Sequence, residues 1–190
     1  MTQSTLPFDG PLANLYLQAF SYSPKHFTLD ETRDLFDLNP PYQRASVWDD
    51  DRRRLLVRSL LLGIPVGAII LNKASDTVAM DVRPYTVIDG KQRIEALRAF
   101  VDDELAIPLS WVDDEHILRS APVDGWPVPG VRWSDLNIVF QRRFYMRSFA
   151  VVEATGKTLQ EQAEIFRLIN AGGVDQTAVD LARAAAIEQR

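Results

Sequence analysis

Tyr85-Thr-Val-Ile-Asp89-Gly90-Lys91-Gln92-Arg93-Ile94-Glu95-Ala-Leu97-Arg-Ala-Phe100 organises this chain. Tyr85 to Ile88 is a short β-rich run with Val87 and Ile88 β-branched. Asp89-Gly90 is a sharp turn signal, and from Arg93 onward Ile94, Leu97 and Phe100 recur at helical spacing. The reading is strand, tight turn, helix. Such a turn lies on a helix N-terminus, where backbone N–H groups and the dipole favour an anion. Lys91 and Arg93 add positive charge there, so a phosphate group is the natural guest. A junction of this kind also occurs without any ligand, and the reading needs support from elsewhere in the chain.

Upstream, Asp49, Asp50 and Asp51 lead into Arg52-Arg-Arg-Leu-Leu-Val-Arg58-Ser-Leu-Leu-Leu-Gly63. Aspartates suit a helix start and Gly63 a helix stop, which predicts a helix near 51–62. The arginines among them read as a solvated face. Residues 66–71 are an apolar run bounded by Pro65 and Asn72, read as a buried strand. Residues 28–38 open on Thr28 with Glu31 three later, a capping-box pattern that predicts a short helix. Residues 12–20 also suggest a helix, within an N-terminal arm spanning 1–27. Between these helices and the central stretch, Asn39-Pro-Pro-Tyr42-Gln43-Arg44 runs extended, because two prolines exclude helix.

Downstream, residues 104–110 suggest a short strand and 113–133 a long irregular loop, a candidate lid. Ser134 is expected to cap a helix through Tyr145, followed by a strand over 148–153. A helix over 159–170 follows, and Thr177 with Asp180 opens an Ala-rich last helix. The fold class expected is α+β, with residues 28–190 as the main domain. A small mixed sheet should hold 66–71 and 85–88, flanked by helices near 51–62 and 92–101.

Composition narrows the chemistry. The chain has 190 residues and no cysteine, which excludes disulfides, zinc-thiolate sites and a cysteine nucleophile. With only two histidines, a His-metal-His nuclease site is disfavoured. The net charge of −5 gives no bulk attraction to nucleic acid, although a local basic patch could still bind it. The absence of cysteine, of a signal-peptide layout and of an apolar run long enough to span a bilayer points to a soluble, cytoplasmic protein with no membrane partner.

Three separated stretches resemble one family. They are Pro41-Tyr42-Gln43-Arg44 with Val47-Trp48; Val87-Ile88-Asp89-Gly90-Lys91-Gln92-Arg93; and Ile165-Phe166-Arg-Leu-Ile-Asn170-Ala-Gly172-Gly173-Val174 with Thr177. In this order they resemble the N-terminal domain of GmrSD-type restriction enzymes, a ParB/sulfiredoxin-like domain with a DGQQR motif. The likeness covers roughly residues 28 to 187. Lys91 stands where the motif usually has Gln, so a hydrogen-bond acceptor is lost and a cation gained.

The resemblance implies a ParB/sulfiredoxin-like mixed sheet that binds a nucleoside triphosphate of unknown base and, in some members, hydrolyses it with Mg²⁺. Arg93 would fork onto phosphate oxygens and Lys91 would be a point charge beside them. Asp89 would hold the turn or a Mg²⁺ through water, and Gln92 would be the candidate for orienting water. Tyr42, Gln43, Arg44, Gly90, Asn170, Gly172 and Gly173 would wall the nucleotide site. An alternative is a DNA-contacting adaptor or clamp without turnover, in which Arg52, Arg53, Arg54, Arg142, Arg143 and Arg147 matter more than the turn. A nuclease ranks last, since no metal-binding carboxylate cluster appears. Expected partners are a nucleotide and DNA or a separate nuclease chain, with a homodimer as a further candidate.

Overall fold

The strand, tight turn and helix read from residues 85–100 are present in the computed structural model. The structure describes residues 12, 15–43, 47–75, 83–123, 126 and 129–172. Strand β1 is Leu17–Tyr22; two single-turn helices, α1 (Lys25–Thr28) and α2 (Asp30–Arg33), lead to β2 (Phe36–Asp37). Helix α3 is Asp50–Leu62, β3 is Ile69–Lys73, β4 is Tyr85–Asp89 and α4 is Lys91–Val101. A hairpin of β5 (Ile107–Pro108) and β6 (Gly130–Val131) follows, then α5 (Ile138–Tyr145), β7 (Phe149–Thr155) and α6 (Leu159–Gly172). The fold is α+β, as the sequence predicted.

The main sheet has five strands in the order β1-β7-β3-β4-β2. β1 runs antiparallel to β7, β7 parallel to β3, β3 antiparallel to β4 and β4 parallel to β2. β3 is therefore central, with Ile69 and Leu71 fully buried. Val87, Val151 and Phe149 join them, and α3 and α4 cover this layer with Val57, Leu60, Ile94, Leu97 and Phe100. Each such side chain contributes about 1.5–3 kcal/mol by leaving water. Phe27 anchors the opposite end, packing its ring against Phe36 at 5.0 Å and Phe149 at 6.2 Å. Arg98 ties α4 to the short helices, donating to the carbonyls of Phe27 and Arg33, both at 2.8 Å.

Local signals explain α3 well. Asp49 accepts a hydrogen bond from the Arg52 amide at 2.8 Å, capping the helix. At the other end Gly63 takes φ 76°, and the amides of Gly63 and Ile64 turn back to the carbonyls of Leu60 and Ser59. Helix α6 is opened by a reciprocal pair: the Thr158 amide donates to Glu161 at 2.8 Å, and the Glu161 amide to the Thr158 hydroxyl at 3.3 Å.

Several expectations are corrected. Residues 17–22 are a strand rather than part of a helix, held by pairing with β7 while all their side chains but that of Tyr22 are exposed. Thr28 does not cap a helix; it is buried at the end of α1 and donates to the Pro24 carbonyl. Residues 36–37 are strand, so the helix expected over 28–38 is two short turns and an edge strand. The cap before α5 is Asn137, not Ser134, and Trp133–Asp135 is a separate 3₁₀ turn. The loop expected over 113–133 is structured in part: β6 pairs with β5, and Asp114–His116 forms a 3₁₀ turn. The helix expected after Thr177 falls outside the described residues.

Candidate functional site

The site is built around Asp89-Gly90. Gly90 has φ 103°, the left-handed conformation, and forms the N-cap of α4. A Cβ there would lie 2.9 Å from Ile69 Cγ1 and 3.2 Å from its Cα, so the turn also requires close approach of backbone to β3. No acidic residue occupies the first turn of α4. By contrast α3 opens with Asp50 and Asp51 behind its Asp49 cap.

The polar side chains around this turn reach backbone atoms of distant loops. Gln43 donates through Nε2 to the carbonyls of Val87 at 2.6 Å and Ile88 at 3.0 Å. β2 pairs with β4 only as far as Thr86, so the Gln43 carboxamide takes over where the neighbouring strand ends. Gln92 accepts from the amides of Val47 at 3.1 Å and Trp48 at 3.0 Å. Arg93 uses Nη1 for two bonds, to the Ala68 carbonyl at 3.0 Å and to Asp89 at 3.2 Å, with its remaining edge against Gly67. Lys91, largely buried, donates to Asn39 Oδ1 at 2.6 Å and lies 3.9 Å from Glu95.

Tyr42 completes the assembly. Its hydroxyl donates to Gln162 at 3.1 Å, and its ring lies 5.7 Å from that of Phe166, both on α6. Burial, with the Asp37 charge behind it, raises the Tyr42 hydroxyl above its ordinary range, so it remains a donor at neutral pH. Gln162 is itself buried and donates to the Lys157 carbonyl at 2.8 Å. The first sequence stretch is thereby pinned to the second through Gln43 and Gln92 and to the third through Tyr42. Asn170 is exposed and donates to the Phe166 carbonyl at 2.8 Å, within its own helix. Gly172 is the last described residue; Arg44 and Gly173 lie outside the described residues.

The geometry adds partners that the sequence reading did not name. Asn39 holds Lys91, Gln162 holds Tyr42, and Glu95 has one carboxylate oxygen, Oε2, that is buried without a hydrogen-bond partner. Only the i,i+4 spacing of Lys91 and Glu95 could have suggested any of these pairings. Arg93 is anchored by a carboxylate of its own turn, Asp89. Among the described residues no group of three His, Cys, Asp or Glu side chains could hold a metal ion. Asp89 is one carboxylate at the turn, with Oδ2 engaged by Arg93.

The basic residues of α5 lie elsewhere. Arg142 and Arg143 are in its last turn, Arg143 Nη1 is 2.8 Å from His116 Nε2, and Arg147 donates to the Leu61 carbonyl at 2.6 Å. The arginines of α3 are more than a solvated face. Arg52, Arg54 and Arg58 lie over the rings of Trp48, Trp126 and Trp111 at 4.8, 4.3 and 5.0 Å.

A mixed sheet whose turn at the α4 N-terminus gathers three separated polar stretches defines the class of domain. The family model for the GmrSD restriction endonuclease N-terminal domain matches residues 26–126, more than half of the chain, and the chain belongs to that family. The match spans the first two stretches and ends before the third. No curated protein and no solved structure matches the chain. No helix among the described residues is long and apolar enough to cross a membrane.

Proposed function

We propose that this domain binds a nucleoside triphosphate at the Asp89-Gly90 turn, as the nucleotide-responsive part of a restriction system. The observation that carries the reading is the charge arrangement at α4. Its first turn has no acidic residue and has two cations, Lys91 and Arg93, where the helix dipole disfavours cations. Among the described residues Arg93 bonds through Nη1, and its fork offers further donors to a phosphate. Asp89 and Glu95 balance the cations in this state, so a phosphate competes with carboxylates for them. Mg²⁺ suits such a turn, since it binds through one or two carboxylates and mainly through the nucleotide's own phosphates; bound, it neutralises phosphate charge. Asp89 is the carboxylate placed to hold it.

Gln92 is engaged with the amides of Val47 and Trp48, which favours a positioning role for it. Binding is tested by thermal melts with ATP, GTP, CTP and UTP, each with and without Mg²⁺. One nucleotide at 100 times its Kd should stabilise the domain by about 2.7 kcal/mol. Arg93→Lys should largely remove that shift, because it keeps charge and loses the fork. If none of the nucleotides raises the melting temperature, the turn is a structural junction.

A further inference from the structure

A second basic surface lies between the C-terminal half of α3 and α5. Leu61, Leu62 and Trp111 floor two adjoining hollows of about 180 Å³ each. Arg58 borders one, and Arg143 and Arg147 border the other. All three arginines are exposed. Among the described residues none of them has a carboxylate within ion-pair distance, whereas Arg33, Arg54, Arg93, Arg119 and Arg167 each have one. In a chain of net charge −5, three guanidiniums without an ion-pair carboxylate among the described residues gather along one groove.

Their existing contacts orient them without cancelling their charge. Arg58 lies over the Trp111 ring, Arg147 reaches the Leu61 carbonyl, and Arg143 meets a ring nitrogen of His116. Each keeps further N–H donors for another ligand. Planar guanidiniums held in register by rings and carbonyls suit phosphate oxygens better than single carboxylates, because several forks can follow a repeating anionic backbone. The groove also has a polarity. Asp113 borders the Arg143 hollow and, with Asp114, lines the neighbouring cleft of about 550 Å³. An anionic chain would be repelled there and confined to the arginine side.

We propose that Arg58, Arg143 and Arg147 form a contact surface for the phosphate backbone of DNA, separate from the nucleotide turn. The test uses the full chain and fluorescence anisotropy with a labelled duplex over a salt series. Three phosphate contacts predict a slope of log affinity against log salt of about −2.7. Arg58→Ala and Arg143→Ala should each reduce that slope by about 0.9, and Arg142→Ala should leave it unchanged. Arg142 is the matched control: it sits on the same helix, and although its sequence position groups it with Arg143 and Arg147 as a DNA contact, it lines neither hollow.

Charge reversal sharpens the comparison: Arg58→Glu should weaken binding at least tenfold, and Arg142→Glu less than twofold. Arg58→Glu should retain any nucleotide-induced melting shift, so failure of this proposal is distinguishable from failure of the nucleotide reading. Three results would overturn the surface: no binding by the parent at low salt, equal losses for the Arg58 and Arg142 reversals, or displacement of the duplex by polyglutamate as readily as by unlabelled DNA. The last would instead mark a site for an acidic protein.

Discussion

Gln43 shows how much a single polar side chain can organise here. Its carboxamide satisfies the carbonyls of Val87 and Ile88, 44 and 45 residues along the chain. Those carbonyls belong to the strand end that delivers Asp89-Gly90. A hydrogen bond contributes about 0.5–1.5 kcal/mol net, and leaving a buried acceptor unmade costs about 1–3 kcal/mol. Gln43→Ala should therefore destabilise the domain by about 1–3 kcal/mol in urea unfolding, with the slope unchanged. Gln43→Glu should be at least as harmful, because a carboxylate cannot donate to a carbonyl. A variant as stable as the parent would show that water replaces the amide without loss. Arg93 belongs to the same set. Its bonds to Ala68 and Asp89 mean that Arg93→Ala should lower stability as well as any nucleotide affinity, so Arg93→Lys is the cleaner probe.

Among the elements, α3 and α4 place their glycines differently. Both Gly63 and Gly90 have left-handed backbone, yet their surroundings diverge. A Cβ at Gly63 would meet nothing nearer than Arg147 Nη1 at 3.5 Å, the end of a flexible side chain. At Gly90 it would meet Ile69 at 2.9 and 3.2 Å, including backbone. Gly63→Ala should cost about 1–2 kcal/mol, the ordinary penalty of a left-handed alanine. Gly90→Ala adds displacement of β3 to that penalty and should cost clearly more, on the order of 3 kcal/mol or above. Parallel thermal melts check the ranking, and equal losses would mean that β3 yields at Ile69 without strain. A crystal structure or NMR spectrum of Gly90→Ala should show shifts at Ile69 and Ala68, where the Arg93 tie sits.

For the whole molecule, sheet order sets the hierarchy of stability. β3 has strands on both sides, and Ile69 and Leu71 are shielded from solvent. β1 pairs on one edge only, and all but the last of its side chains are exposed. β2 contributes just two residues. Native-state hydrogen exchange should therefore protect the β3 amides most and the β1 amides least, with opening of β1 possible without loss of the core. Equal protection of β1 and β3 would mean that something covers the edge in solution. The nucleotide turn lies at the β4–α4 junction and the arginine groove between α3 and α5, so different side chains build the two proposed surfaces.

Local chemistry made much of this chain legible. The Asp49 cap, the Gly63 stop, the Asp89-Gly90 turn and the apolar periodicity of α4 act within a few residues, and their elements stand close to where pattern predicts them. Family membership was likewise carried by short stretches, two of which lie inside the matched region. Pattern failed where an element draws its stability from somewhere else. β1 has no buried face, so no alternation announces it; pairing with β7, more than a hundred residues later, makes it a strand. Thr28 and Glu31 compose a valid capping box, but burial of Phe27 and Phe36 in the common core splits the segment into turns and an edge strand. The polar side chains near the turn could be named from the sequence, yet their partners could not. Gln43, Gln92 and Arg93 each bond backbone groups, which carry no side-chain signature and come within reach only when the sheet and its flanking helices have assembled.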